Sequence, residues 1–231
     1  MMQTILVFLG SVRDSTPPRP ARLGLRVAKA CLHQLARPVV APVLIDPLDI
    51  DLPRPFKPVF AYAAGKAPAH LDALARQIAA ADGYVMISPE YNHSMSPALA
   101  DLLNHFGSSL FAYKPCSIVT YSAGQWGGTR AAVNMRSFLA ELGCLPVSAM
   151  IHIPKAQEVF DPEGQPLPEV NYTNLWQGIQ QTAGDKLGVY SLQLPNAAGQ
   201  PARVFFMLRD AEHGRAFNQM QLDPLTGEAR Q

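Results

Sequence analysis

The chain has 231 residues, and its 19 Lys and Arg residues nearly balance its 18 Asp and Glu residues, giving a formal net charge of +1. No run of five or more like charges occurs, which argues against a nucleic-acid-binding surface and against a patch for anionic membranes. A chain of this length can bury one substantial hydrophobic core. We therefore expect one main domain whose partner is a small molecule, rather than nucleic acid or a membrane.

The cysteines and histidines exclude several kinds of site. Cys31, Cys116 and Cys144 are widely separated and lack a Cys-x-x-Cys spacing, which argues against a disulfide framework and a zinc site. The histidines show no metal-ligand spacing either, so no metal site is predicted. The first residues enter a predicted strand without a signal-peptide pattern, and no apolar run of about 18 residues occurs. We expect a cytoplasmic location.

Apolar residues predict strands and helices that alternate along most of the chain. Near-continuous apolar runs predict strands at residues 3–9, 39–45, 83–88, 116–121 and 145–151. Helical spacing of apolar residues predicts helices within residues 21–36, 71–81, 97–106 and 132–142. Prolines are frequent between residues 47 and 58, so we expect that span to be a surface excursion.

Local signals place two of the helix ends. Ser96 followed by Pro97 is typical of an N-cap and a first helical residue, and Gly143 is expected to end the helix before the fifth strand. Strands separated by helices imply right-handed crossovers and a parallel sheet. The loops after strands one, three and four can then meet at the carboxyl edge of the sheet, where such sheets bind ligands.

Three loops at this edge carry suitable chemistry. The first loop, residues 10–16, has hydroxyls, an arginine and backbone amides that suit a phosphate, although a solvated loop that merely caps the helix is about equally compatible with it. The second loop, residues 89–92, offers a backbone, an amide and an aromatic wall for a planar ring. The glycine loop, residues 122–128, lets backbone amides approach the edge of that ring.

The first loop is neither a nucleoside-triphosphate P-loop nor a Gly-x-Gly-x-x-Gly dinucleotide turn, so a mononucleotide phosphate is the expected ligand group. Four motifs occur in order: Gly-Ser-Val-Arg at 10–13, Ser-Pro-Glu-Tyr-Asn at 88–92, Pro-Ala-Leu-Ala-Asp-Leu-Leu-Asn at 97–104 and Tyr-Ser-Ala-Gly-Gln-Trp-Gly-Gly at 121–128. With them the chain resembles the NADPH-dependent FMN reductase family, which also includes quinone, azo and chromate reductases.

The resemblance implies an α/β fold, a flavodoxin-like three-layer sandwich with a five-stranded parallel sheet. It implies an FMN-binding domain over residues 1–188, and it leaves residues 189–231 as a C-terminal extension. Within that extension, 189–194 and 202–208 have the pattern of two strands of a β-hairpin. In this family a hydride passes from NADPH or NADH to bound FMN, and the electrons continue to a quinone, a free flavin or a similar acceptor.

Carried over residue by residue, the resemblance implies two sets of cofactor-binding positions and no catalytic side chain. The FMN phosphate would be held by Ser11, Arg13 and Ser15 or Thr16, while the long Pro-rich first loop adds Arg19 and Arg22 as candidates. The flavin ring would be lined by Pro89, Glu90, Tyr91 and Asn92 and completed by Tyr121, Ser122, Ala123 and Gly124. His93 replaces a glycine common in relatives, which would narrow the mouth of the pocket.

Several residues are compatible with two roles. Glu90 is better explained as a structural or dimer-contact carboxylate than as a general base. His93 is better explained as a solvated side chain than as a proton donor. Trp126 could equally stack on the acceptor or close the glycine loop. The apolar residues Phe106, Leu110, Phe111 and Tyr113 predict a subunit contact, and relatives form homodimers or homotetramers. A flavodoxin-type electron carrier and a flavin-binding redox regulator remain alternatives, although such carriers are usually more acidic.

Overall fold

The computed structural model describes residues 2–13 and 22–167, together with short backbone strands between residues 204 and 230. Within the described residues one parallel sheet has the strand order β2-β1-β3-β4-β5, and β6 also pairs with β4. Its strands are β1 (Gln3–Leu9), β2 (Val40–Ile45), β3 (Gly83–Pro89), β4 (Pro115–Tyr121), β5 (Leu145–Pro146) and β6 (Ile151–Ile153). This order is that of flavodoxin-like doubly wound folds, so the predicted fold class is confirmed.

Helices cover both faces of the sheet. They are α1 (Leu23–Leu35), α2 (Ala69–Ala80), α3 (Pro97–Asn104), α4 (Ser108–Phe111), α5 (Thr129–Glu141) and α6 (Ala156–Val159). Single 3₁₀ turns at Pro47–Asp49 and Val59–Ala61 lie at the two ends of the Pro-rich excursion. Among the described residues, no helix combines the length and apolar character needed to cross a membrane.

Alternation along the central strands divides the core in two. On β1, Ile5, Val7 and Leu9 face the cluster built with α1, whereas Leu6 and Phe8 face the cluster built with α2, α3 and α5. The side-chain period of two in a strand produces this division, and burial on both faces explains why the strands are apolar throughout. The sheet is thus the middle layer of a three-layer sandwich.

The three cysteines are core residues rather than reactive thiols. Cys31, Cys116 and Cys144 are buried and free. Burial raises the pKa of the Cys31 thiol, and contact with the Cys144 side chain together with burial raises the pKa of the Cys116 thiol. The Cys31 and Cys116 thiols therefore stay protonated at neutral pH, and all three cysteines pack as small apolar groups.

The predicted fifth strand is interrupted. Leu145 and Pro146 pair with the start of β4, and pairing resumes at Ile151 opposite Val119. Between the pairs Cys116↔Pro146 and Val119↔Ile151, β4 advances by three residues and its partner by five, so two extra residues bulge out of the edge. The N–H groups of Leu145 and Val147 donate to the Lys114 and Cys116 carbonyls of β4 (2.8 and 2.9 Å), so the Pro146 nitrogen faces the outer edge, where no N–H is needed.

Two of the residues expected at a subunit surface after α3 belong to the core instead. Phe106 and Phe111 are buried within the chain itself, and the Phe111 ring lies in edge contact with Tyr84, with 5.4 Å between centroids. Tyr113 is the exposed member of that group, at 87% of its maximal exposure. The apolar excess therefore completes the core on this face of the sheet.

Local helix signals are confirmed where they could act without distant partners. The Ser96 hydroxyl accepts a hydrogen bond from the Leu99 N–H (3.1 Å), and Pro97 opens α3. Gly143 follows α5 with a φ of 94°, a conformation that a side chain would strain.

The C-terminal strands form their own pairs. They are β7 (Val204–Phe206), β8 (Arg209–Asp210), β9 (Arg215–Ala216), β10 (Met220–Leu222) and β11 (Ala229–Arg230). β10 pairs antiparallel with β7 and β11, and β8 pairs antiparallel with β9. The first arm of the predicted hairpin, residues 189–194, lies outside the described residues, and the domain division at residue 188 stays a prediction.

An ion pair joins α1 to the end of β2. Arg22, the residue before α1, donates two hydrogen bonds to the Asp46 carboxylate, at 2.7 and 3.0 Å. The two side chains retain only 9% and 10% of their exposure. Asp46 also accepts from the Leu48 N–H (3.0 Å), so one carboxylate organises both the helix start and the turn after β2.

Replacement of Gly10 by alanine is expected to destabilise the fold by about 1–3 kcal/mol because the added carbon is overpacked. It would lie 2.6 Å from the Ile87 carbonyl oxygen and 2.9 Å from Leu99 Cβ, and Gly10 N–H already donates to that carbonyl (2.7 Å). Gly124→Ala is the matched control, since its added carbon meets no atom within 4 Å. Urea unfolding measures both, and equal stability of the two variants would contradict the packing at Gly10.

Asp46→Asn is expected to lower the free energy of unfolding by about 2–4 kcal/mol, because it leaves the buried Arg22 guanidinium without its opposite charge. Glu158→Gln is the matched control: its ion pair with Lys155 (3.2 Å) is more than half exposed and should change stability by less than about 0.5 kcal/mol. Thermal and urea unfolding of both variants provide the comparison. A loss of similar size in the two would show that burial does not strengthen the Arg22–Asp46 pair.

Candidate functional site

The three loops of interest follow adjacent strands. β1 lies next to β3 and β3 lies next to β4, and all three run in the same direction. The first loop, the second loop and the glycine loop therefore leave the same edge of the sheet. Tyr121, the last residue of β4, pairs with Pro89 at the end of β3, which places the start of the glycine loop beside the second loop.

The described part of the first loop, residues 10–13, has a buried hydroxyl and an exposed cation. Ser11 keeps 7% of its exposure, while Val12 and Arg13 are exposed. The Ser11 Oγ accepts a long hydrogen bond (3.5 Å) from the Nε of Arg22, whose remaining donors bind Asp46. The predicted phosphate ligands Ser15, Thr16 and Arg19 lie outside the described residues.

The Tyr121 side chain links the loops. Its ring is buried, with 5% exposure, and a carbon added at Gly24 of α1 would lie 2.3 Å from its hydroxyl oxygen. Burial raises the pKa of Tyr121 to about 12 and the Tyr91 phenol adds to that rise, whereas the Ser11 hydroxyl and the guanidinium groups of Arg22 and Arg13 lower the pKa. The residues that act on this one phenol come from the first loop, the second loop and the start of α1.

Beyond the second loop the chain makes a tight turn. The N–H of Tyr91 donates to the Ser94 carbonyl and the N–H of Ser94 donates to the Tyr91 carbonyl, both at 2.9 Å. The central residues Asn92 and His93 have φ values of 49° and 64°, as a type I′ turn requires. Asparagine suits this turn, but histidine is an unusual second residue. The His93 carbonyl accepts from the Asn134 side chain of α5, which holds the turn in place.

The buried hydroxyl of Ser88 joins the two ends of the segment 89–96. It accepts from the Ser96 N–H (2.8 Å) and donates to the Pro89 carbonyl (2.8 Å). The entry and the exit of the segment are thus joined by one side chain. These hydrogen bonds fix the backbone on both sides of Tyr91, whose side chain is 45% exposed.

Glu90 forms an ion pair within the chain. Its Oε1 lies 2.6 Å from an Nη atom of Arg130 in the first turn of α5, and the Glu90 side chain is 12% exposed. Its Oε2 is buried and has no hydrogen-bond partner in the described part of the chain. A structural role for Glu90 therefore fits the geometry better than the role of a general base. Arg130 and Asn134 were not identified from the sequence, because no local pattern links α5 to residues about 40 positions earlier.

Ser122 shapes the glycine loop. Its hydroxyl donates to the Gly124 carbonyl (2.7 Å) and accepts from the Gly127 N–H (2.9 Å). Carbons added at Gly127 and Gly128 would meet the backbone at Pro154 (3.0 Å) and the Thr120 side chain (2.9 Å), and both glycines have positive φ. These two glycines therefore serve the packing of the loop rather than the approach of a ligand, whereas Gly124 faces open space.

The glycine loop presents donors to that open space. Its carbonyls accept from the protein itself: that of Ser122 from the Ala156 N–H (3.0 Å), that of Ala123 from the Gln157 side chain (3.0 Å) and that of Gly124 from the Lys155 N–H (2.9 Å). Among the described residues, no acceptor is bound by the N–H groups of Ala123 and Gly124. This donor set suits the carbonyl and nitrogen edge of a flavin ring.

The acidic, histidine and cysteine side chains that the structure describes do not form a metal site. Among the described residues, no group of three His, Cys, Asp or Glu side chains could ligate an ion. His152 on β6 makes a hydrogen bond to Thr120 (2.9 Å), and burial lowers its pKa, so its imidazole is neutral at pH 7. Hydroxyls, backbone amides and arginines are therefore the groups available to a ligand here.

Comparison with known proteins identifies the family. A family model described as NADPH-dependent FMN reductase matches residues 3–158. A quinone reductase of Escherichia coli is 32% identical over 145 residues, which cover 61% of this chain and 71% of that protein. An NAD(P)H-dependent FMN reductase of Pseudomonas aeruginosa is 34% identical over 123 residues, covering 52% of this chain and 66% of that protein.

A solved structure shares the fold. FerB of Paracoccus denitrificans, a flavoenzyme NAD(P)H:(acceptor) oxidoreductase, superimposes with a TM-score of 0.62 over 79% of this chain and 96% of that one, at 18% identity. The enzyme class and the FMN and NAD(P)H cofactors that the motifs implied are confirmed at the level of the family. Since the family model spans more than half of the chain, the protein belongs to the NADPH-dependent FMN reductase family.

Proposed function

We propose that the protein takes a hydride from NADPH or NADH through bound FMN and reduces a small-molecule acceptor, with a quinone as the first candidate. One observation carries this proposal: Gly10 bonds the Ile87 carbonyl near the end of β3, and Pro89 at the end of β3 pairs with Tyr121 at the end of β4, so the three loops leave the sheet side by side. This arrangement supports a phosphate-binding end at the first loop and a ring-binding end between the other two.

At the phosphate end, Ser11 and Arg13 are the proposed ligands among the described residues. The Ser11 hydroxyl accepts from the Arg22 Nε (3.5 Å), and Arg13 supplies an exposed guanidinium. A dianionic phosphate needs such charge-assisted donors. Ser15, Thr16 and Arg19 remain proposed further donors.

At the ring end, the proposed lining residues come from the other two loops. They are Pro89, Glu90, Tyr91 and Asn92 on one side and Tyr121, Ser122, Ala123 and Gly124 on the other. The free N–H groups of the glycine loop would stabilise negative charge at the ring edge, in the manner of an oxyanion hole. FMN, when bound, supplies the hydride and electron chemistry, so no catalytic side chain is required of the protein.

The choice of a quinone rests on two supports. Of the two relatives described above, the one that matches more of this chain is a quinone reductase. The exposed rings of Tyr91 and Trp126, at 45% and 63% exposure, offer faces on which a flat aromatic acceptor can stack. Reduction of free flavin is the alternative, because the Pseudomonas relative is an FMN reductase.

We further propose a cytoplasmic homodimer or homotetramer. The free, buried cysteines suit a reducing compartment. Exposed apolar side chains for a subunit contact remain at Phe56, Phe60 and Tyr113, at 49%, 69% and 87% exposure. Sedimentation velocity at micromolar concentration measures the assembly directly.

The proposed function is tested with purified protein and FMN. We expect FMN to bind with a change in its visible spectrum, NADPH or NADH to bleach that spectrum under anaerobic conditions, and a quinone to restore it. Steady-state rates across quinones, azo compounds and free flavins then identify the preferred acceptor. A protein that takes up no FMN would contradict the proposal.

Arg13→Ala is expected to raise the dissociation constant for FMN about tenfold or more, because a charge-assisted hydrogen bond to the phosphate is lost. Riboflavin, which lacks the phosphate, should bind the variant and the wild type equally. Arg76→Ala, an exposed arginine on α2, is the matched control and should change neither constant. Flavin fluorescence titration measures all six values. An equal loss of riboflavin binding would remove Arg13 from the phosphate end.

His93→Gly is expected to stabilise the fold by about 0.5–1 kcal/mol, because glycine adopts the positive φ of this turn without steric strain. It should also lower KM for a bulky quinone by widening the mouth of the pocket, with kcat unchanged. Tyr113→Gly, at the same φ of 64°, is the control for stability alone. A kcat more than tenfold lower in His93→Gly would instead assign proton donation to His93.

A further inference from the structure

Three successive carbonyls of the glycine loop are bound by one short segment, residues 155–157, at the start of α6. In an extended strand successive carbonyls point to opposite sides, so they could not all face one neighbouring segment. The donors are the Ala156 N–H to the Ser122 carbonyl (3.0 Å), the Gln157 Nε2 to the Ala123 carbonyl (3.0 Å) and the Lys155 N–H to the Gly124 carbonyl (2.9 Å). The glycine loop therefore turns one side of its backbone towards α6.

The N–H groups of the same peptides point the other way. In a trans peptide the C=O and the N–H of the next residue lie in one plane and point in opposite directions. The N–H groups of Ala123, Gly124 and Gln125 therefore face away from α6, and these three residues are exposed. In the described part of the chain, none of the three N–H groups donates to an acceptor. A row of N–H groups on one side of a backbone attracts negative charge.

The middle peptide of this row is held by a side chain. Its two neighbours are held by backbone N–H groups, which every residue except proline supplies. Gln157 is therefore the position at which the choice of side chain controls the orientation of the row. Because the Ala123 carbonyl oxygen can only accept, a residue at position 157 needs a donor to hold it.

Stability alone does not explain the segment 155–157. The Oε1 of Gln157 is buried and has no hydrogen-bond partner among the described residues. A buried acceptor without a partner destabilises a fold, and a methionine of similar length would not carry one. Lys155 has a φ of 47°, which residues with side chains seldom adopt. Both unfavourable features belong to residues that bind carbonyls of the glycine loop.

We propose that Gln157 is a positioning residue that makes the ring site prefer the reduced form of FMN over the oxidised form. It does so by holding the Ala123–Gly124 peptide with the Gly124 N–H towards the site. The inference rests on the proposed function and deepens it. Because reduction adds negative charge to the ring edge, a donor fixed in advance stabilises the reduced form more than the oxidised form. A peptide that is free to rotate would lose this advantage.

Gln157→Met provides the test, since it removes the amide and keeps a side chain of similar length. We expect the dissociation constant for reduced FMN to rise about threefold to tenfold, while that for oxidised FMN stays within about twofold of the wild-type value. A tenfold change in the ratio of the two constants lowers the midpoint potential by about 30 mV for a two-electron couple. Titration of the apo-protein with oxidised FMN in air and with dithionite-reduced FMN under anaerobic conditions measures both constants. An equal change in the two constants, or no change, would overturn the inference.

Two further variants separate the hydrogen bond from packing and from general effects of substitution. Gln157→Leu also lacks the amide, so it should give the same ratio as Gln157→Met. A different ratio would show that packing at position 157 sets the preference, which would contradict the proposal. Gln77→Met, at an exposed glutamine of α2, is the matched control and should leave the ratio unchanged.

A readout without cofactor tests the contact itself. The carbonyl-carbon NMR resonance of Ala123 in the apo-protein should move in Gln157→Met, because the carbonyl loses its donor, and should stay in place in Gln77→Met. An unmoved resonance in Gln157→Met would show that Gln157 does not hold this peptide. A wild-type protein that binds FMN in neither form would remove the proposed function. One that binds FMN with the same ratio in all variants would remove this inference alone.

Discussion

The adjacency of β1, β3 and β4 is the constraint on which the site depends. These strands hold the centre of the sheet, they are buried on both faces, and each ends at the same edge. The approach is so close at that edge that Gly10 N–H bonds the Ile87 carbonyl and leaves no room for a side chain. Loops that are far apart in the sequence thereby leave the sheet side by side. The ligand site is thus a consequence of strand order before it is a consequence of any loop.

Two ion pairs hold the loops from outside. Arg22 with Asp46 fixes the start of α1 beside the first loop, and Glu90 with Arg130 fixes the second loop to α5. Both pairs join segments that a ligand would otherwise have to bring together. Such contacts usually improve binding because loops that are already ordered lose less conformational entropy when the ligand binds. The unpartnered Oε2 of Glu90 leaves one acceptor beside the proposed ring site.

Sequence reasoning identified what short-range physics determines. Ser96 and Pro97 mark a helix start because the cap and the fixed φ of proline act within three residues, and Gly143 marks a helix end for a similar reason. The apolar runs indicated a doubly covered sheet. Sequence reasoning missed features that depend on contacts between residues far apart in the sequence. The bulge before β6 depends on pairing with β4, and Phe111 is buried because Tyr84 and Phe8 lie against it. Residue type alone cannot distinguish a buried aromatic from one that awaits a partner.

The same distinction explains the glycines at the site. The motif alone suggested that the glycine loop exists to admit a ring, yet Gly127 and Gly128 are required by the backbone and by Thr120, and Gly124 alone in that loop faces open space. Gly24, which carries no motif, gives space to the Tyr121 hydroxyl. A tyrosine at the end of β4 and a glycine in α1 are therefore complementary, and neither could keep its place if the other were changed alone to a larger residue. Such a pair fixes the end of β4 against the start of α1 through packing, so the edge from which the glycine loop leaves the sheet is ordered without a ligand.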